Sequence, residues 1–142
     1  DVAPSRGLGD VYKRQILDNM KQNTGIEEIA EYNMANVTNP TICKTTTRAW
    51  CNRVNIFADL VSNGDISFNA NVMTLGYKDP VVIASENGDI TIQATNVNGN
   101  GLIYAPNGTV TINVCDFDYK GSIIAKKINI QATYYQHKIE DK

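Results

Sequence analysis

Apolar and polar residues alternate through much of the chain after residue 59, and the alternation comes in blocks. Four segments align: "DLVSNGDISFNANV", "VVIASENGDITIQATNV", "LIYAPNGTVTINVCDF" and "SIIAKKINIQATYY". The first three carry an Asn-Gly pair followed by an alternating stretch. The fourth lacks that glycine and is shorter. Their apolar positions recur about twenty residues apart, the spacing of a repeat architecture. One column reads Leu60, Val82, Ile103, Ile123, and the next inward position holds Ser62, Ala84, Ala105 and Ala125. After the turn come Ile66, Ile90, Val110 and Ile128, then Phe68, Ile92, Ile112 and Ile130. Val72, Val97, Phe117 and Tyr134 or Tyr135 close each unit.

A period of two predicts β-strands with one buried face. Strand, glycine corner, strand and short strand within one repeat make a coil of a β-solenoid. Stacked coils bury their columns as one continuous core. Asn63-Gly64, Asn87-Gly88 and Asn107-Gly108 suit the corners, because both residue types tolerate positive φ. Parallel crossovers favour right-handed coiling. An antiparallel sandwich with Asn-Gly hairpins is the structural rival. It accounts for the alternation but not for the recurrence of whole segments.

The N-terminal part reads differently. "TGIEEIAEYNM" opens with Thr24 three residues before Glu27, a capping-box spacing, and continues with Ile26, Ile29 and Ala30. This predicts a helix over about residues 25–35, then a loop entering an irregular strand through "NVTNPTICKTTTRAW". Residues 46–58 read as a degenerate first coil. The expected fold is all-β: a short right-handed parallel β-solenoid of about four coils, with an N-terminal helical cap that includes Trp50. The boundaries are 16–45 for the cap, 46–135 for the solenoid and 136–142 for a polar tail. Solenoid ends need such caps because they expose unpaired edges.

"SRGLGDVYKRQ", residues 5–15, back-translates to DNA that resembles a transposon-type sequencing adapter. Residues 1–15 are therefore expected to be non-native and to carry no function. The native N-terminus, with any signal peptide or anchor, is expected to lie upstream of what was read. Setting this stretch aside removes the one basic arm in a chain whose net charge is already −2. No basic stripe for nucleic acid remains. No apolar run reaches the length of a membrane span. Three cysteines, Cys43, Cys51 and Cys115, are too few for a disulfide framework. A Cys43–Cys51 bridge stays open, and the spacing is not that of a zinc site.

Gly101 to Ala132 resembles β-solenoid modules of bacterial surface and minor-pilin-like proteins, notably from Gram-positive gut bacteria. Ile103 to Gly108 and Gly121 to Lys126 carry the likeness, and Leu60 to Ala70 and Glu86 to Ile92 are similar to the preceding coils. A more distant similarity, through "GSIIAKKINI", is to the bactofilins, although the Asn-Gly corners depart from their tighter coil. The resemblance implies a structural or display role at the cell surface and no catalytic residues. The partners it implies are other surface-protein domains or cell-wall and host glycans, with self-association as a bactofilin-like alternative.

Three residues are candidates for ligand contact. Asp65 and Asp89 follow successive Asn-Gly pairs and should meet on adjacent coils, as a carboxylate pair for calcium or glycan chemistry. The simpler reading is a solvated corner. Calcium would want six or more oxygens, and Thr109 breaks the series. Tyr104 alternates with Ile103 and Ala105, which predicts an outward aromatic able to stack on a sugar. Tyr119, Tyr134 and Tyr135 are further aromatics that could stack on a sugar if exposed. Asp116 and Asp118 should point away from Phe117. His137, the single histidine, sits in the charged tail and suits solvent better than a nucleophile triad. Lys126 and Lys127 read as a solvated turn. No cofactor or metal is expected.

Overall fold

The computed structural model describes residues 27–29, 32–33, 36–43, 46–76 and 79–139. Within them the chain forms β1 (Glu27–Ile29), β2 (Tyr32–Asn33), β3 (Asn36–Val37), β4 (Thr41–Cys43), β5 (Thr47–Ile56), β6 (Leu60–Ser62), β7 (Ile66–Leu75), β8 (Val81–Ser85) and β9 (Ile90–Ile139). Every pairing between these strands is parallel. That excludes the antiparallel sandwich and makes the fold a β-solenoid.

Residues 41–56, 60–75 and 81–99 form three successive turns, and the chain from Gly101 onward stacks on the third. One wall is the ladder β1-β4-β6-β8-β9. It begins with Glu27 opposite Thr41 and runs through Thr41–Leu60, Leu60–Ile83 and Ile83–Ile103. The second wall is the ladder β5-β7-β9, with Thr47 opposite Ile66 and Ile66 opposite Ile90. Both walls face a core that holds Leu60, Ile66, Phe68, Ile83, Ile90, Ile92, Ile103, Val110 and Ile112, each at most 2% exposed. Burying one such side chain contributes about 2 kcal/mol, and the columns repeat it coil after coil.

β9 is a single extended run that bends without breaking. Two of its bends are at Gly101 and Gly121, with φ of 150° and 134°. A Cβ on Gly101 would fall on the Val81 carbonyl oxygen, and one on Gly121 on the Gly101 carbonyl oxygen. Glycine is required here twice over, by the backbone angle and by the coil beneath.

Several expectations need correction. Residues 25–35 are not helical where they are described: Glu27–Ile29 and Tyr32–Asn33 are strands on the first turn. A helix this short is marginal alone, and an open ladder edge offers its amides better partners. Trp50, assigned to the cap, lies in β5 opposite Asn69. Thr41–Cys43, placed in the cap segment 16–45, already belongs to the first wall. Residues 136–139, read as tail, continue β9.

The columns of the second wall hold at Ile66–Ile90 and Phe68–Ile92. Those of the first wall slip by one. Leu60 pairs with Ile83 rather than Val82, and Ser62 with Ser85 rather than Ala84. Val97 likewise pairs with Met73, not Val72. Ile128 is 43% exposed, although Ile66, Ile90 and Val110 in its column are buried. It belongs to the last described coil, whose Ile123, Ala125 and Ile130 are only half-buried.

Candidate functional site

The Asn-Gly corners carry the densest polar chemistry among the described residues. Each corner reads the one below it. The Asp65 carboxylate accepts from the backbone N–H of Asp89 at 2.8 Å, and the Asp89 carboxylate accepts from that of Thr109 at 2.8 Å. The Asn87 side-chain amide donates to the Asn63 side-chain oxygen at 2.6 Å, and that of Asn107 donates to the Glu86 backbone carbonyl at 2.7 Å. Beside them, the buried Ser85 hydroxyl donates to the Gly64 carbonyl at 2.7 Å and accepts from the Gly88 N–H at 3.0 Å.

Asp65 and Asp89 do stand on adjacent coils, as the repeat spacing predicted. Their relation is not that of a carboxylate pair closing on a ligand. Each uses an oxygen to cap an amide that the bend leaves without a ladder partner. Both side chains are exposed, so the charge stays in water. Among the described residues, no group of three or more His, Cys, Asp or Glu side chains converges as a metal site.

The corner glycines act for a different reason from the expected one. Neither Gly88 nor Gly108 has positive φ. A Cβ on Gly88 would press on the Gly64 backbone and Asp65, and one on Gly108 would overlap the Gly88 carbonyl oxygen. Close stacking of backbone on backbone, not the turn angle, requires glycine at these corners.

Tyr104 is the clearest misplacement. It does point away from the main core, as alternation predicted, yet it is 1% exposed. It lies in a second apolar cluster with Ile42, Val61, Val82, Ala84 and Leu102, on the outer side of the first wall. A ring so placed presents no face to a sugar. Tyr119 is also buried: its hydroxyl donates to the Gly101 carbonyl at 2.8 Å and lies 3.0 Å from that of Ser122. Burial pushes its phenol well above the ordinary range. Its ring stacks on Phe117 with centroids 5.6 Å apart. Asp116 and Asp118 are exposed opposite buried Phe117, as expected. So are Lys126 and Lys127. Cys43 is buried, and the side chain of Cys51, its suggested bridge partner, lies outside the described residues. The side chains of His137, Tyr134 and Tyr135 lie outside the described residues.

One polar residue was missed. Asp59 ties the second turn to its neighbours: its carboxylate accepts from the Val82 N–H at 2.9 Å, and its backbone carbonyl from the Thr41 N–H at 3.0 Å. Burial raises its carboxyl above the ordinary 3.8, with the Val82 bond pulling the other way. The available signal was an aspartate just before an apolar run at a coil boundary.

A surface depression of about 470 Å³ is lined by Thr111 to Asn113 and Ile128 to Gln131. It gathers no titratable group. No described helix is long and apolar enough to cross a membrane. Comparison with curated proteins and with solved structures returns no match. Residues 32–141, which include every corner described above and all of both walls except β1, match the model of a domain of unknown function, DUF7305, and the chain belongs to that family.

Proposed function

We propose that this domain is a non-enzymatic structural or stalk module of a bacterial cell-surface or pilus-associated protein. In this reading it is a right-handed solenoid that works outside the membrane. One observation carries the proposal. The polar residues that repeat from coil to coil, Asp65, Asp89, Asn63 and Asn87, are engaged in holding one coil on the next. Side chains spent on stacking serve length and rigidity rather than turnover. The likeness of Gly101 to Ala132 to surface and minor-pilin-like modules supports a cell-surface location in this reading.

Its test is the location of the complete gene product in intact cells. An epitope in the Asp79–Pro80 loop, which is exposed, should be cut by protease added outside the cells. Protection until the cells are lysed would overturn the surface assignment.

A second reading, self-association, is favoured by the half-buried apolar residues of the last described coil, with Ile128 exposed. Under it, sedimentation would show concentration-dependent oligomers that Ile128→Lys abolishes. A monomer at every concentration would reject it.

A further inference from the structure

One corner of the stack is uneven. Between the Leu75–Gly99 and Val81–Gly101 pairs, the second turn spends residues 76–80 where the third spends Asn100 alone. Gly76, at φ 72°, brings the longer connection against Asn100. A Cβ on Gly76 would lie 2.7 Å from the Asp79 carbonyl oxygen, 3.1 Å from that of Asn100 and 3.2 Å from Asn100 Oδ1. Those are its three nearest heavy atoms, and all are oxygens. At Gly88, Gly99, Gly101, Gly108 and Gly121 the same set includes carbon or nitrogen. Asn100 Oδ1 is also the one buried side-chain nitrogen or oxygen, among the described residues, with no hydrogen-bond partner. A buried acceptor left so is costly, and three oxygens around one point call for a positive partner. None of the described residues supplies it. On the core side Asn100 borders Val81, Ile83 and Leu102 in a void too narrow for water. Lys120, beside the Gly121 that stacks on Gly101, is exposed.

We propose that the carbonyl oxygens of Asp79 and Asn100, together with Asn100 Oδ1, hold a calcium ion that ties Asp79 to the third turn. Calcium accepts main-chain carbonyls and asparagine as ligands in irregular arrangements, at about 2.3–2.6 Å, and water completes its shell. Magnesium demands a stricter octahedron and gives up its water reluctantly. Such a site needs no cluster of acidic side chains, and the aspartates of the Asn-Gly corners take no part in it. Its three chain ligands are neutral, so binding should be weak, with a dissociation constant of about 1 mM. This inference is independent of where the domain works.

The test is the melting temperature of the full chain in chelator, calcium, magnesium or sodium chloride at matched ionic strength. At about 10 mM, calcium should raise it by about 4 °C over chelator. Magnesium should give less than half of that, and sodium none. Asn100→Ala should abolish the rise, whereas Asp116→Asn with Asp118→Asn should keep it. Asn100→Asp adds a charge to the site and should tighten calcium about tenfold. No rise in the native chain overturns the proposal. So does an equal rise with magnesium or sodium, or a rise lost with Asp116 and Asp118 instead. The rival is an Asn100 amide turned so that its NH2 donates to the Asp79 carbonyl. Under that rival Asn100→Asp melts lower and calcium shifts neither chain. Should Asn100→Ala fail to fold, calorimetric titration of the native chain and Asn100→Asp with calcium decides. One ion per chain, held more tightly by the variant, supports the site; no binding, or equal affinity in both, overturns it.

Discussion

The two walls are built from the same parallel ladder, yet they read differently in sequence. The second wall alternates. In β7, Ile66, Phe68 and Ala70 are buried, Asn69 is exposed and Ser67 half-exposed. In the first wall all three residues of β6 and all five of β8 are buried. A sheet with one wet face produces alternation, whereas a sheet covered on both faces produces an unbroken apolar run. The comparison teaches that "VVIAS" and "LIYA" mark a covered strand, and that alternation alone mistakes half of their side chains for surface.

The sharpest way to break this comparison is at the outward positions. Tyr104→Ala should cost about 3–5 kcal/mol in urea unfolding, as for a large buried aromatic. Gln93→Ala, outward on the other wall, should stay within about 0.5 kcal/mol. Equal small losses would mean that the first wall is wet outside. Within the second wall, Ile92→Ala should cost about 2–4 kcal/mol, because Ile92 is fully buried and Thr91 beside it is exposed. Thr91→Ala should cost little, and similar losses at both sites would contradict the alternation.

Corner substitutions should have smaller effects. Asp89→Ala leaves the Thr109 amide without its carboxylate and should cost about 1 kcal/mol, with Asp89→Asn restoring most of it. Failure of Asn to rescue would show that charge, not hydrogen bonding, matters there.

The smallest effect concerns Asp59 and pH. Its carboxyl is held above 3.8 in the folded state, chiefly by burial. The folded chain therefore binds that proton more tightly than the unfolded one. Its ionisation costs no stability below pH 3.8, costs more as pH rises through the raised value, and levels off above it. Asp59→Asn keeps an acceptor for Val82 and removes the titration. The melting temperature of the variant relative to the native chain should climb across that window and then plateau. A difference flat with pH would remove Asp59 from the account.

Much of the second wall was legible because its polarity alternates in register. Ile66 with Ile90 and Phe68 with Ile92 could be aligned by eye, since a slip of one would have set Ser67 or Thr91 in the core. The first wall offered no such check. Val82 and Ile83 are both apolar, so the one-residue error in the Leu60 column left no trace. The N-terminal strands were hidden for another reason. Glu27–Ile29 carries a local helix signal, and only the ladder edge at Thr41–Cys43, far from it in pattern, makes it a strand. At the corners, the proximity of Asp65 and Asp89 was foreseeable from spacing alone. Their use was not, because a carboxylate's partner was a main-chain amide that no residue letter records.

The relay from Asp65 to Asp89 to Thr109 also has a direction, and direction amounts to a grammar for growth. Each aspartate serves the coil that follows it, so a duplicated turn copied from residues 60–80 would bring its own carboxylate for the next amide. A copy of the turn that contains Thr109 would bring only a hydroxyl, on a shorter arm. Lengthening by tandem duplication is thus easier below Asp89 than above it. The height of such a stack is set less by its core, which any apolar repeat would extend, than by the coil at which the corner aspartate stops being written.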